Sequence, residues 1–179
     1  QLIGGATDPM RASPTLQSLL AALGAAPVVG LLVAAVLAFV AASSLAIVLL
    51  VASLAASSNM DPGLVVALVL GANLGGAVPP ALATAGYGPL ARRVTLGNLA
   101  VRGAGCLLAL PFIGPAEGYL AHAAALTSTF AVDVHLAFNI ALAVIFLPLV
   151  GVIARIAERL LPQLPDTRMG PRYLDEASL

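Results

Sequence analysis

The sequence has no lysine, no tryptophan and a single cysteine, and charge of either sign is scarce. Only 9% of the 179 residues are charged, against about 25% in a soluble domain, so a water-facing surface could not be covered. All eight basic residues are scattered arginines and the formal net charge is zero, which leaves no basic face for nucleic acid. Cys106 alone permits neither an internal disulfide nor a cysteine metal cluster. Without tryptophan, an aromatic belt at a membrane interface rests on three Tyr and five Phe residues. No charged segment followed by a short apolar one opens the chain, so no signal peptide is read.

What is there is apolar. Hydrophobic residues make up 60% of the chain and the mean hydropathy is +1.04. The expected class is an all-α integral membrane protein, because a backbone in lipid must satisfy its own polar groups. Abundant Ala, Gly and Val suit closely packed helices.

Two apolar stretches are interrupted halfway by small, hydrogen-bonding residues: Ala41-Ala42-Ser43-Ser44 in the first, and Gly71-Ala72-Asn73-Leu74-Gly75-Gly76 in the second. Paired interruptions of this kind point to a transporter's binding site, since broken backbone at membrane depth is tolerated where it lines a cavity. Residues 27–57 are too long for one ordinary span and too short for two. Each half, about 14 residues, would reach ~21 Å as helix, past the midplane of a ~30 Å core. A re-entrant hairpin with Ser43-Ser44 at its tip is the economical reading; a single long tilted helix is the alternative. Residues 62–85 read as a discontinuous span broken at GANLGG, where Gly71, Gly75 and Gly76 can take φ > 0 and expose backbone groups, while Pro79 and Pro80 remove two donors.

The remaining chain falls into familiar parts. Residues 1–26 hold the tail of a helix that starts upstream (so a piece of a longer protein is expected), a polar loop and a short interfacial helix with Leu16, Leu19, Leu20 and Leu23 on one face. Residues 94–114 form a span, 115–133 an extracellular or periplasmic loop with a short surface helix, and 134–161 a last span with a cytoplasmic extension. Residues 162–179 form a polar tail. Arg92, Arg93, Arg155, Arg159, Arg168 and Arg172 flank span ends, which puts the C-terminus in the cytoplasm. Arg11 breaks that pattern if residues 27–57 form a hairpin.

Several residues could carry chemistry. Ser43 and Ser44 offer hydroxyls beside helix-end backbone groups, where an N-terminus suits an oxyanion and a carbonyl-rich end suits Na⁺; packing serines are the alternative. Asn73 is costly in hydrocarbon without a partner, and its carbonyl is a fair Na⁺ ligand; an Asn bridging the break structurally is the alternative. Arg102 lies inside a span, where ionisable residues are functional candidates; snorkelling to the cytoplasmic side is the alternative. His135 and Asn139, at i and i+4, share a helix face, with His135 read as an interfacial or packing residue. His122, Asp133 and His135 match no zinc spacing. No catalytic constellation or nucleotide-binding loop is found, so the sequence is not read as an enzyme.

The order LQSLLAALGAAPVVGLLVAAVLAFVAASSLA, VLGANLGGAVPPALAT, ARRVTLGNLAVRGAGCLLALPF and HLAFNIALAVIFLPLVGVIARIAERLLP resembles the bacterial Na⁺/phosphate cotransporter family, type II-like, in its second repeat and the span that follows. That family's Gln-Ser-Ser-Ser hairpin tip corresponds to residues 41–44, and its Gly-Ala-Asn-Ile-Gly-Thr-Thr stretch to residues 71–77. The resemblance implies half of an inverted-repeat transporter in the bacterial inner membrane, working with a first repeat. It implies Na⁺-coupled phosphate transport, with Ser43, Ser44, Gly71, Asn73, Gly75, Gly76 and Arg102 around substrate and ion. Na⁺ would be held by Ser43, Ser44 and Asn73, and no other cofactor is implied. The PRYLDEASL tail looks like the lead into a PhoU-like cytoplasmic domain. Ala41, Ala42, Gly76 and Ala77 replace polar residues of the family, which leaves open a non-transporting scaffold or regulatory protein, or a symporter of another small anion.

Overall fold

The structure, a computed structural model, describes residues 13–56, 60–127 and 129–163. The expected helix tail at residues 1–5, the loop through Arg11 and most of the 162–179 tail lie outside the described residues. Those described are helical, with no strand: α1 (Pro14–Gly24), α2 (Pro27–Val40), α3 (Ser44–Ala55), α4 (Pro62–Gly75), α5 (Val78–Ala83), α6 (Pro89–Ala109), α7 (Glu117–Leu126), α8 (Phe130–Phe146) and α9 (Val150–Leu160). Proline stands in the first turn of α1, α2, α4 and α6, where its missing N–H has no helical partner to lose. Ser13, Ser43 and Asp61 cap α1, α3 and α4 through their side-chain oxygens.

Helix α4 is the axis of the bundle. Eleven of its fourteen residues are buried, and α2, α3, α6 and α8 pack around it. Helix α2 runs parallel to it, with Gly30 beside Leu64 and Leu68, Leu31 beside Gly71, and Ala35 beside Gly75. Helix α6 runs antiparallel, with Ile113 beyond its end touching Gly63 and Arg102 reaching Asn73. Helix α8 is parallel to α4.

Helix α3 must turn back. Its first residue, Ser44, abuts Gly76 at the end of α4, and residues 56–61 separate its last residue from the start of α4. Six residues reach about 20 Å, too short to return from a helix that continued beyond Gly76. So α2 and α3 are a helical hairpin with its tip beside the α4 terminus. At the tip, Ser43 N donates to Ala38 O and Ala42 N to Phe39 O, the paired bonds of a Schellman turn. The left-handed position of that turn, usually glycine, is Ala42 with φ 49°.

The second interruption differs from the sequence reading. Helix α4 runs unbroken through Gly71, Asn73 and Gly75, and no glycine among the described residues has positive φ. The break falls at Gly76-Ala77, because Pro79 and Pro80 cannot donate to the carbonyls of Gly75 and Gly76 one turn earlier. A Cβ on Gly71 would run into Leu31 O, and one on Gly75 into Ala35 O. These glycines serve close backbone approach between α2 and α4, as small residues do between helices in lipid.

Two stretches are long and apolar enough to cross a membrane: Pro62–Ala83, taking α4 and α5 together, and Pro89–Phe112, which is α6 with a 3₁₀ turn. Two bent pairs could add to these, α1–α2 at 118° and α8–α9 at 80°. The last span therefore does not run straight through residues 134–161. Pro148, between α8 and α9, removes a helical donor and turns the chain. The loop at residues 115–133 contains α7, and α6 begins five residues before the expected start at 94.

Candidate functional site

Asn73 is fully buried, at 0% exposure. Its amide Nδ2 donates to Val69 O at 2.8 Å and to His135 Nδ1 at 3.0 Å. Its Oδ1 accepts from Arg102 Nη1 at 2.8 Å and from Asn139 Nδ2 at 3.1 Å. Two donors and two acceptors are all that an Asn side chain has. The orientation is unambiguous: a flipped amide would set oxygen against Val69 O and nitrogen against two donors. Because Nδ2 can only donate, His135 Nδ1 must accept, and the imidazole is neutral with its proton on Nε2.

The same cluster ties three helices together. Asn139 Nδ2 also donates to His135 O at 2.7 Å, and Arg102 Nε to Asn98 Oδ1 at 3.3 Å. Asn98 and Arg102 lie one turn apart on α6, as do His135 and Asn139 on α8, so each pair aims at the single Asn on α4. Below it, the Cys106 thiol donates to Leu70 O at 3.4 Å. Gly105 admits Phe138 and Leu142 so that α6 and α8 meet closely.

Arg102 is the only charged group in this cluster. It sits thirteen residues into α6, roughly 20 Å along the helix, and the guanidinium turns inward to Asn73 rather than out to the nearer surface. Two of its five N–H donors are used on Asn98 and Asn73, leaving three. No carboxylate pairs with it among the described residues. It lines a cleft of about 550 Å³ between α6, α8 and α9 with Asn98 and Asn139, and the walls are otherwise mostly apolar, from Val101 to Phe146. An uncompensated guanidinium at that depth, with donors to spare, is the chemistry of an anion site.

The other expected residues lie elsewhere. Ser43 Oγ accepts from Ala46 N at 3.2 Å and so caps α3. Ser44 packs on Gly76. No hydrogen bond joins either serine to Asn73 or Arg102 among the described residues. Gly71 and Gly75 pack on α2, and only Gly76 adjoins the hairpin tip. The structure thus divides the expected residues into a tip (Ser43, Ser44, Gly76) and a cluster one turn away (Asn73, Arg102). Asn73 as a Na⁺ ligand is at odds with this arrangement, because both of its oxygen lone pairs face donors and one of these is a cation. Asp133 accepts from Thr127 and Thr129, away from His135, and no group of metal-binding side chains forms among the described residues.

Sequence reasoning undervalued His135 and Asn139. The signal available was the repetition: two polar pairs at i and i+4 in successive spans, with one Asn in the span before them.

No protein-family model matches the chain, and no solved structure does. Over 181 aligned residues and its whole length, the chain is 30% identical to a protein of Salmonella typhimurium named "Putative inorganic phosphate export protein YjbB". Proteins of the same name from Escherichia coli K12 and Shigella flexneri match at the same identity. The chain spans about a third of the length of these curated relatives, 33% in each case.

Proposed function

We propose that this chain is part of a membrane transporter of inorganic phosphate, and that Arg102 receives the anion. The observation that carries the reading is the guanidinium held at mid-span by Asn73, with three donors unused and no carboxylate partner among the described residues. The names of the curated relatives supply the substrate. Apolar helices and those relatives support a membrane location; the bacterial inner membrane is the proposed one.

Charge placement supports the orientation. Asp61, Glu117 and Asp133 lie at the end of the bundle where α4 and α8 begin. Arg92, Arg93, Arg155 and Arg159 lie at the other, with Arg93 bonded to Leu161 O at 2.8 Å. The arginine-rich end is proposed to face the cytoplasm. The α2–α3 hairpin then enters and leaves from the outer side, as a re-entrant element does.

Coupling to Na⁺ is proposed at the hairpin tip rather than at Asn73. The carbonyls of Gly75 and Gly76 lose their helical donors to Pro79 and Pro80, and Ser44 abuts Gly76. Oxygen ligands at a helix C-terminal end suit a hard cation. A first repeat would complete the site, with a PhoU-like domain beyond the tail as a cytoplasmic partner.

The test is radiolabelled phosphate flux, in both directions, through proteoliposomes holding the whole protein that carries this chain, with and without a Na⁺ gradient. Na⁺-dependent flux weakened by Ser44→Ala supports both parts of the reading. Flux indifferent to Na⁺ removes the coupling and keeps the transporter. Absence of flux in either direction overturns it.

A further inference from the structure

We propose that His135 is a proton-binding residue that controls Arg102 through the Asn73 amide, so that proton binding and anion binding favour each other. The proposal rests on the reading that Arg102 receives the anion. In the observed state His135 Nδ1 accepts from Asn73 Nδ2, and Asn73 Oδ1 holds Arg102 and Asn139. A proton taken from water onto Nδ1 makes the imidazole a donor at both nitrogens. It then faces the Asn73 N–H donor to donor. Relief comes from rotating the amide so that Oδ1 meets His135; that rotation gives up the bond to Val69 O and places Nδ2 against Arg102 Nη1 and Asn139 Nδ2. Protonated His135 and the Arg102–Asn73 bond are therefore mutually exclusive. Protonation frees a fourth guanidinium N–H and raises the charge of the cluster from +1 to +2, and a phosphate anion offsets that charge.

Among the described residues the other titratable groups are engaged elsewhere; Glu158, which lines the same cleft, pairs with Arg93 at 3.8 Å. The helices packed against α8 are α3, α4 and α6. Helices α3 and α4 carry no titratable side chain. From α6, Arg102 and Cys106 face the cluster, and the thiol is bonded to Leu70 O. On α8 itself Asp133 is held by Thr127 and Thr129. Histidine is the side chain whose ordinary titration falls between pH 5 and 8.

The experiment measures phosphate binding to the whole protein from about pH 8 to about pH 5.5, in wild type and in His135→Asn. An Asn at 135 keeps an acceptor for Asn73 Nδ2 and cannot titrate; His135→Gln serves in its place if that variant does not fold. Phosphate ionises over the same range, but it does so identically for both proteins and cancels in the ratio of their dissociation constants. The expected result is that wild type gains on the variant by about fivefold or more as pH falls, the scale of an ordinary coupling between sites. A constant ratio, with binding still lost in Arg102→Gln, overturns the proton control and leaves Arg102 as the anion site. Wild-type binding in Arg102→Gln overturns both.

Discussion

The two interruptions, at residues 41–44 and 71–76, look alike in the sequence and are physically different. The first is a chain reversal. Its helices end in a Schellman turn and start again at a serine cap, so the N–H groups of Ala41, Ala42, Ser43 and Ala46 have local partners. The second is continuous helix. Its glycines remove Cβ atoms so that α2 can lie against α4, and its Asn is a junction for two further helices. Small residues thus signal either a change of direction or close approach. What separates the cases is where the polar side chain points: Ser43 Oγ accepts from Ala46 N and starts a helix, whereas Asn73, also of a capping type, turns its amide to Val69, His135, Arg102 and Asn139.

That comparison can be broken by substitution, and the largest effects belong to the glycine face. Gly71→Ala and Gly75→Ala each set a methyl group against backbone oxygen, which no rotamer change relieves. Each should cost roughly 3 kcal/mol or more, and the double variant should not accumulate as folded protein in membranes. If both fold with unchanged stability in a detergent unfolding titration, the close packing of α2 on α4 is wrong.

Next comes the junction. Asn73→Leu strands Arg102, Asn139 and the His135 acceptor together. A loss of roughly 2–4 kcal/mol is expected from unpaired buried groups, moderated by the small net value of polar contacts in membranes. Phosphate flux should disappear with it. Asn73→Asp is the sharper probe, because it keeps the acceptor for Arg102 and loses the donors to Val69 and His135.

The hairpin tip should be the mildest region. Ser43→Ala removes a cap worth about 1 kcal/mol and should leave phosphate binding at Arg102 intact. Ala42→Gly should stabilise by about 0.5–1 kcal/mol, because the left-handed position suits glycine. A destabilised Ala42→Gly variant would contradict the turn described at the tip.

How much was legible follows from the same physics. The helical class, the reversal at Ser43-Ser44 and the surface helix in residues 115–133 rest on composition, length and capping, all local properties. The continuity of α4 was hidden because glycine's permissiveness and its smallness leave the same letter in the sequence. Pro79 and Pro80 did mark where the helix ends, at Gly75, four residues past Gly71, and Pro148 marked the bend that separates α8 from α9. The convergence of Asn73, Arg102, His135 and Asn139 depends on how α4, α6 and α8 pack, which no single segment encodes. Arg102 was legible as a candidate and its partner was not: the guanidinium turns inward only because a buried Asn carbonyl waits for it.

The most direct test of the central claim is phosphate flux through proteoliposomes holding the whole protein, wild type against Arg102→Gln, with matched reconstitution and an unchanged elution profile. Glutamine keeps a donor for Asn73 and removes the charge. If Arg102 receives the anion, flux falls by about a hundredfold or more, consistent with losing a charge-assisted contact of a few kcal/mol. Flux at the wild-type level in a folded Arg102→Gln protein would contradict the account and leave the cluster as a purely structural knot between three helices.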